Sequence, residues 1–145
     1  MIPEFNKDGN LPEGIYFVEE VEFIERFCSN SARRKWLGAR FVELLAMSKS
    51  TGQLDRLFIW GSFISDKESP NDIDILLLMK ETFYLEKISE DNKIIFDHVA
   101  ARIRFHMDIF WSKADIGEEV LNLWLETYQI TKDYNRRGIV EVKLP

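Results

Sequence analysis

Two short apolar runs separated by a polar loop dominate the hydrophobic pattern of this chain. Leu57 to Trp60 ends in Gly61 and Ser62, a stretch of Asp, Lys, Ser, Pro and Asn follows, and Asp72-Ile73-Asp74-Ile75 opens a second run that continues to Met79. Runs of this length bounded by turn residues predict strands. Upstream, the spacing of Leu37, Phe41, Leu44, Leu45 and Ser48 predicts a helix from Ala32 to about Lys49, with Asn30 or Ser31 placed to cap it and Gly52 near its end. Val18 to Phe27 predicts a shorter acidic helix. Residues 1–14, which include Pro3, Gly9, Pro12 and Gly14, predict an extended lead-in.

Downstream of the second run, Thr82 is placed to cap a helix to about Arg102, with Leu85, Ile88, Ile95 and Val99 as its apolar stripe. Arg104 to Trp111 is rich in aromatic and branched residues and predicts another strand. Ser112-Lys113-Ala114-Asp115 resembles a capping box with Asp in place of Glu. It precedes a helical pattern with Ile116, Val120, Leu123, Trp124 and Tyr128 on one side. Arg136-Arg137-Gly138 reads as a turn, and Ile139 to Leu144 as a last strand. The order helix, helix, strand, strand, helix, strand, helix, strand predicts an α/β (α+β) sandwich: a small mixed sheet with helices mainly on one face.

At 145 residues the chain suits one domain, 1–145, with a proper core. No apolar run approaches the roughly 20 residues that span a bilayer. The amino terminus lacks a basic region followed by an apolar core, so a cytoplasmic location is expected. Cys28 is the single cysteine, which excludes an internal disulfide and a cysteine-based zinc site. A net charge of −6 argues against broad nucleic-acid binding, while a local basic patch can still hold a nucleotide or an RNA end. Arg33, Arg34, Lys35 and Arg40 gather on one predicted helix, and Arg136 and Arg137 near the carboxyl terminus. Their plain reading is a solvated helix face and a charged turn.

The chemistry enters with Asp72 and Asp74. Residues two apart on a strand face the same side, so their carboxylates project together. At about 5 Å and an effective dielectric near 20, such a pair repels by roughly 3 kcal/mol, which a shared proton or a divalent cation relieves. Asp108, on the strand predicted around it, is a third candidate if that strand lies beside the first. Three clustered carboxylates favour Mg²⁺, a hard ion usually completed by substrate phosphates and water, and hence metal-assisted phosphoryl or nucleotidyl transfer.

Trp60-Gly61-Ser62, nine intervening residues, and Asp72-Ile73-Asp74-Ile75 together resemble the signature of the nucleotidyltransferase superfamily. That superfamily includes DNA polymerase beta and the small stand-alone minimal nucleotidyltransferases. The resemblance is specific from Leu57 to Met79 and extends to Trp111. It implies the nucleotidyltransferase fold, a Gly61-Ser62 turn on the triphosphate, Asp72 and Asp74 on two Mg²⁺ ions, and Asp108 completing the site. It further implies transfer of a nucleoside monophosphate from a nucleoside triphosphate, expected to be ATP, to a hydroxyl on a protein, an RNA end or a small molecule. Short members often pair with a helical partner protein in toxin–antitoxin systems, so such a partner, or a homodimer, is the implied acceptor surface.

Many relatives place an Arg two residues after the Ser, where this chain has Ile64; Lys67 is the only cation in the loop and a candidate triphosphate contact. A degenerate member that binds nucleotide or partner without catalysis, as an antitoxin or regulatory module, is therefore the alternative. Phosphatases of the haloacid-dehalogenase type place Asp-x-Asp after an apolar strand rather than before it, and glycosyltransferases require no upstream Gly-Ser turn. His106, two residues before Asp108, would share its face on a strand, either as a substrate contact or as a plain polar residue. Trp60 and Trp111 lie near the proposed site, where they serve as core or as base-stacking surfaces.

Overall fold

The computed structural model describes residues 1–145. Its elements are β1 (Ile15–Val18), α1 (Glu20–Phe27), α2 (Ala32–Ser50), β2 (Leu54–Trp60), β3 (Ile73–Met79), α3 (Glu90–Lys93), α4 (His98–Phe105), β4 (Met107–Lys113), α5 (Glu118–Tyr128) and β5 (Ile139–Val142). The strands form one five-stranded mixed sheet in the order β1-β5-β2-β3-β4. β2 runs antiparallel to β3 and β5, while the β3–β4 and β1–β5 pairs are parallel. This is the α+β architecture expected from the sequence.

β3 is buried along almost its whole length, because both faces of the sheet are covered, and that is why it reads as a continuous apolar run. α2 packs against both α1 and α4, and Phe23 of α1 touches Phe41 of α2 and Phe63 of the turn after β2 in the core. α5 lies over the face that carries Trp60, whose ring Tyr128 stacks on at 3.6 Å. Leu121 and Leu125 are its buried side chains. α2 begins where Ser31 Oγ accepts a hydrogen bond from the Arg34 N–H at 3.1 Å, so Ser31 is the cap.

Four local readings of the sequence are corrected by the structure. The helix expected from Thr82 to Arg102 is broken into a 3-10 turn at Leu85–Lys87, the single turn α3, another 3-10 turn at Ile94–Phe96, and α4. Thr82 donates to the Gln53 side chain rather than capping a helix. Asp97 takes an extended conformation and its carboxylate accepts from the Ala100 N–H, which starts a new helix in the middle of the expected one.

Val18, expected to begin a helix, instead ends the parallel edge strand β1, in which Ile15 and Phe17 are exposed; the helix starts at Glu20. Ser112 and Lys113 belong to β4, so there is no capping box. Gly117, at φ 88, makes the entry to α5 instead, and Val120 and Leu123 face outward. His106 is not on a strand: it is the left-handed cap of α4, at φ 55, and packs edge-on against Trp36. Residues 1–14 carry no helix or strand, as expected, yet Ile2 and Leu11 are buried and bind this segment to the core.

Candidate functional site

The β2–β3 pair sets the geometry. Trp60 lies opposite Asp74 in the antiparallel register, and Asp108 lies beside Asp74 in the parallel β3–β4 register. Paired residues share a sheet face, so Asp74 and Asp108 project together. Asp72 sits one residue before β3 rather than within it, and its carboxylate still joins them: one oxygen from each of Asp72, Asp74 and Asp108 lies within 4.8 Å of the other two. Three ionised carboxylates this close repel by about 3 kcal/mol per pair at an effective dielectric near 20.

The site relieves that repulsion in two ways. Burial, then the charges of Asp72 and Asp108, push the Asp74 carboxyl up to about 7, aided by its hydrogen bond with Asp108. Arg102 of α4 reaches across the mouth, donating to Asp108 Oδ1 at 2.5 Å and to Asp72 Oδ2 at 3.4 Å. His98 Nε2 lies 3.7 Å from the same Asp108 oxygen. Sequence reasoning passed over both residues. The left-handed turn at His106 folds α4 back along β4, and that reversal brings Arg102 and His98 to Asp108.

Gly61 is required where it stands. Its φ is 89, and a Cβ at this position would meet Asp74 Oδ2 at 2.3 Å. The glycine thus lets the end of β2 pass directly over the carboxylate, with Ser62 following on the same rim. The Ser62 side chain, half-buried, points no hydrogen bond at the protein. The loop from Ser62 to Lys67 is held from below by Arg34, which is not part of a solvated helix face. Arg34 is 4 % exposed and donates to the carbonyls of Phe27, Phe63, Ser65 and Lys67, while Arg33 holds those of Pro70 and Asn71.

These residues floor a cleft of about 690 Å³ lined by fourteen residues, none hydrophobic. Ser62, Lys67, Asp72, Asp74 and Asp108 all line it. So do Asp8 and Asn10 from the lead-in, and Thr131, Lys132, Arg136 and Arg137 from the segment before β5. The sequence offered no periodic signal for these two walls. Trp60 is occupied by Tyr128, and Trp111 packs among Phe83 and Phe96, so neither ring is free for a base. His106 lies outside the cleft. Ile64 is buried in the core.

An all-oxygen donor set of three converging carboxylates can hold a hard divalent cation. No helix is long and apolar enough to cross a membrane. Residues 3–143 match the model of DUF6932, described as a family of unknown function, and the chain belongs to that family. No curated protein and no solved structure matches the chain.

Proposed function

We propose that the chain is a Mg²⁺-dependent nucleotidyltransferase of the nucleotidyltransferase fold, transferring a nucleoside monophosphate from a nucleoside triphosphate, ATP being the first candidate, to a hydroxyl acceptor. The observation that carries this reading is the convergence of Asp72, Asp74 and Asp108 beside the Gly61-Ser62 turn on the floor of an entirely polar cleft. Asp72, Asp74 and Asp108 would hold the metal, which when bound would neutralise phosphoryl charge and acidify the acceptor hydroxyl. Gly61, which does not itself line the cleft, lets the end of β2 pass over Asp74 and so sets Ser62 on the rim, where the Ser62 hydroxyl and the Lys67 ammonium contact the triphosphate oxygens. Asp108, the triad member bordered by α4, takes the hydroxyl proton. The acceptor oxygen bonds to the α-phosphorus, the bond to the β-phosphate breaks, and pyrophosphate leaves. Positioning and charge stabilisation supply most of the rate.

Ile64 is buried and puts no cation on the triphosphate side of the loop, which favours a second reading: a nucleotide-binding module without catalysis that serves a partner protein. Incubation with radiolabelled triphosphate and Mg²⁺, with the chain itself and with the protein encoded beside it as acceptors, separates the two. The enzyme transfers label, and Asp108→Asn lowers transfer by orders of magnitude while triphosphate still raises Tm. The module shows the Tm rise without label. Absence of any Tm rise with each of the four common triphosphates at millimolar concentration would overturn both readings, since a ligand at one hundred times its Kd adds about 2.7 kcal/mol.

A further inference from the structure

The wall facing the carboxylates is built from the segment between α5 and β5. Ile130 pairs with Arg136 in an isolated bridge, which closes residues 131–135 into a tight loop whose Thr131, Lys132, Asp133 and Asn135 line the cleft. Two arginines follow with different surroundings. Arg136 is committed to the protein, paired with Glu126 at 2.6 Å and Glu13 at 3.3 Å. Arg137 makes no ion pair and no side-chain hydrogen bond, although it is half-buried and lines the same cleft.

Its Nε is shielded from solvent and has no partner. Buried guanidinium donors are normally satisfied, and the chain satisfies Arg34 with several carbonyls. Lys132 and Lys67, also on the cleft, are likewise outside every ion pair. The cleft holds a triad of carboxylates on its floor, Asp8 and Asp133 on its walls, and three cations outside any ion pair, of which Arg137 acts on Asp74 only through its charge; that arrangement suits a ligand that is anionic at one end and metal-bridged at the other.

We infer that Arg137, with Lys132, forms a subsite for the pyrophosphate portion of the substrate, the β- and γ-phosphates that depart after transfer. The inference rests on the nucleotide reading and adds to it the part of the chain that holds the leaving group. With the reacting phosphorus beside Asp108 and Ser62, the β- and γ-phosphates lie in the same cleft that these cations line. The planar guanidinium can grip two phosphate oxygens at once, whereas Lys132 supplies a movable point charge. A triphosphate carries more negative charge than a divalent metal can offset once the carboxylates of the cleft are counted, and these side chains offset part of the remainder.

Calorimetric titration with magnesium pyrophosphate, and separately with Mg-ATP and with AMP, tests the subsite. Mn²⁺ titration without phosphate and Tm serve as controls for an intact floor and fold. The wild-type chain binds pyrophosphate and ATP. Arg137→Gln weakens both about tenfold or more, as loss of a charge-assisted contact predicts, leaves AMP binding within about twofold, and does not weaken Mn²⁺ binding, because the lost charge had acted on Asp74. Lys132→Gln, an exposed position that does not endanger folding, weakens both several-fold. Wild-type binding of ATP that survives both substitutions overturns the subsite and leaves the nucleotide reading standing. Binding of pyrophosphate that is lost in Arg137→Gln, in a chain that binds no nucleoside triphosphate, overturns the nucleotide reading and keeps the anion subsite. Failure of the wild-type chain to bind pyrophosphate overturns the subsite outright.

Discussion

Asp74 is the residue on which the floor of the cleft depends, and its environment has a measurable signature. Its carboxyl titrates at about 7 in the folded chain against an ordinary 3.8, chiefly because it is buried and then because Asp72 and Asp108 are charged. Between those two values the folded chain holds a proton that the unfolded chain has lost, so this residue's contribution to stability is greatest on the acid side and falls as pH rises through about 7. Each pH unit in that window is worth about 1.4 kcal/mol. Asp74→Asn should therefore flatten the pH dependence of Tm between about pH 4 and 7 relative to wild type and raise Tm at pH 8; identical pH profiles would contradict the assignment. Mn²⁺ affinity of the wild-type chain should climb as pH rises through about 7, because the ion displaces that proton. At Gly61 the constraint is steric. Gly61→Ala combines a left-handed backbone with a Cβ 2.3 Å from Asp74 Oδ2, and should lower stability by about 1 to 3 kcal/mol while also weakening Mn²⁺ binding, read by denaturation and by titration.

At the scale of elements, α2 acts as the anchor of the loop that carries Ser62 and Lys67. Arg34 lies among backbone carbonyls of that loop and of the end of α1, so its removal leaves several buried acceptors unpaired. Each costs about 1 to 3 kcal/mol. Arg34→Met keeps the length of the side chain and should cost at least about 3 kcal/mol in urea unfolding, with amide exchange across residues 62–67 accelerated more than in α2. Loss of stability with no change in loop exchange would show that Arg34 supports only the helix. The same element shows why a cluster of cations in a sequence is ambiguous. Arg33, Arg34 and Arg40 share a helix, yet Arg34 is sealed among carbonyls while the Arg40 guanidinium lies over the exposed Trp36 ring at 4.2 Å.

For the whole molecule, the lead-in is part of the architecture. Leu11 is 1 % exposed, its carbonyl accepts from the Gly138 N–H at 2.9 Å, and the Gly9 carbonyl accepts from the Asp66 N–H at 2.8 Å. The first residues thereby join the loop after β2 to the strand β5 and wall one side of the cleft with Asp8 and Asn10. Deletion of residues 1–11 removes the buried side chains of Ile2 and Leu11, and should cost about 3 to 6 kcal/mol at 1.5 to 3 kcal/mol for each. A truncated chain with unchanged Tm would make the segment a dispensable tail.

What the sequence by itself determined is the part of the molecule whose information is local. The strands flanking the Gly-Ser turn, the helix from Ala32 with its cap at Asn30 or Ser31, the last strand and the Asp72-x-Asp74 pair all follow from periodicity, capping chemistry and turn residues within a few positions of one another. Tertiary structure decided everything that depends on chain reversal and pairing over distance. Asp108 joins Asp74 only because β4 lies parallel beside β3, Arg102 reaches them only because a left-handed residue turns α4 back on its strand, and the cationic wall exists only because residues 131–137 fold over the floor. The expected long helix after Thr82 failed for the same reason: Asp97 has equal local claims as a helix residue and as a cap. Packing of Phe83 against Phe96 and Trp111 accompanies the second choice. Side-chain spacing specifies which face an element buries. The pairing of carboxylates, guanidinium groups and backbone carbonyls far apart in sequence is set by the free energy of the assembled whole.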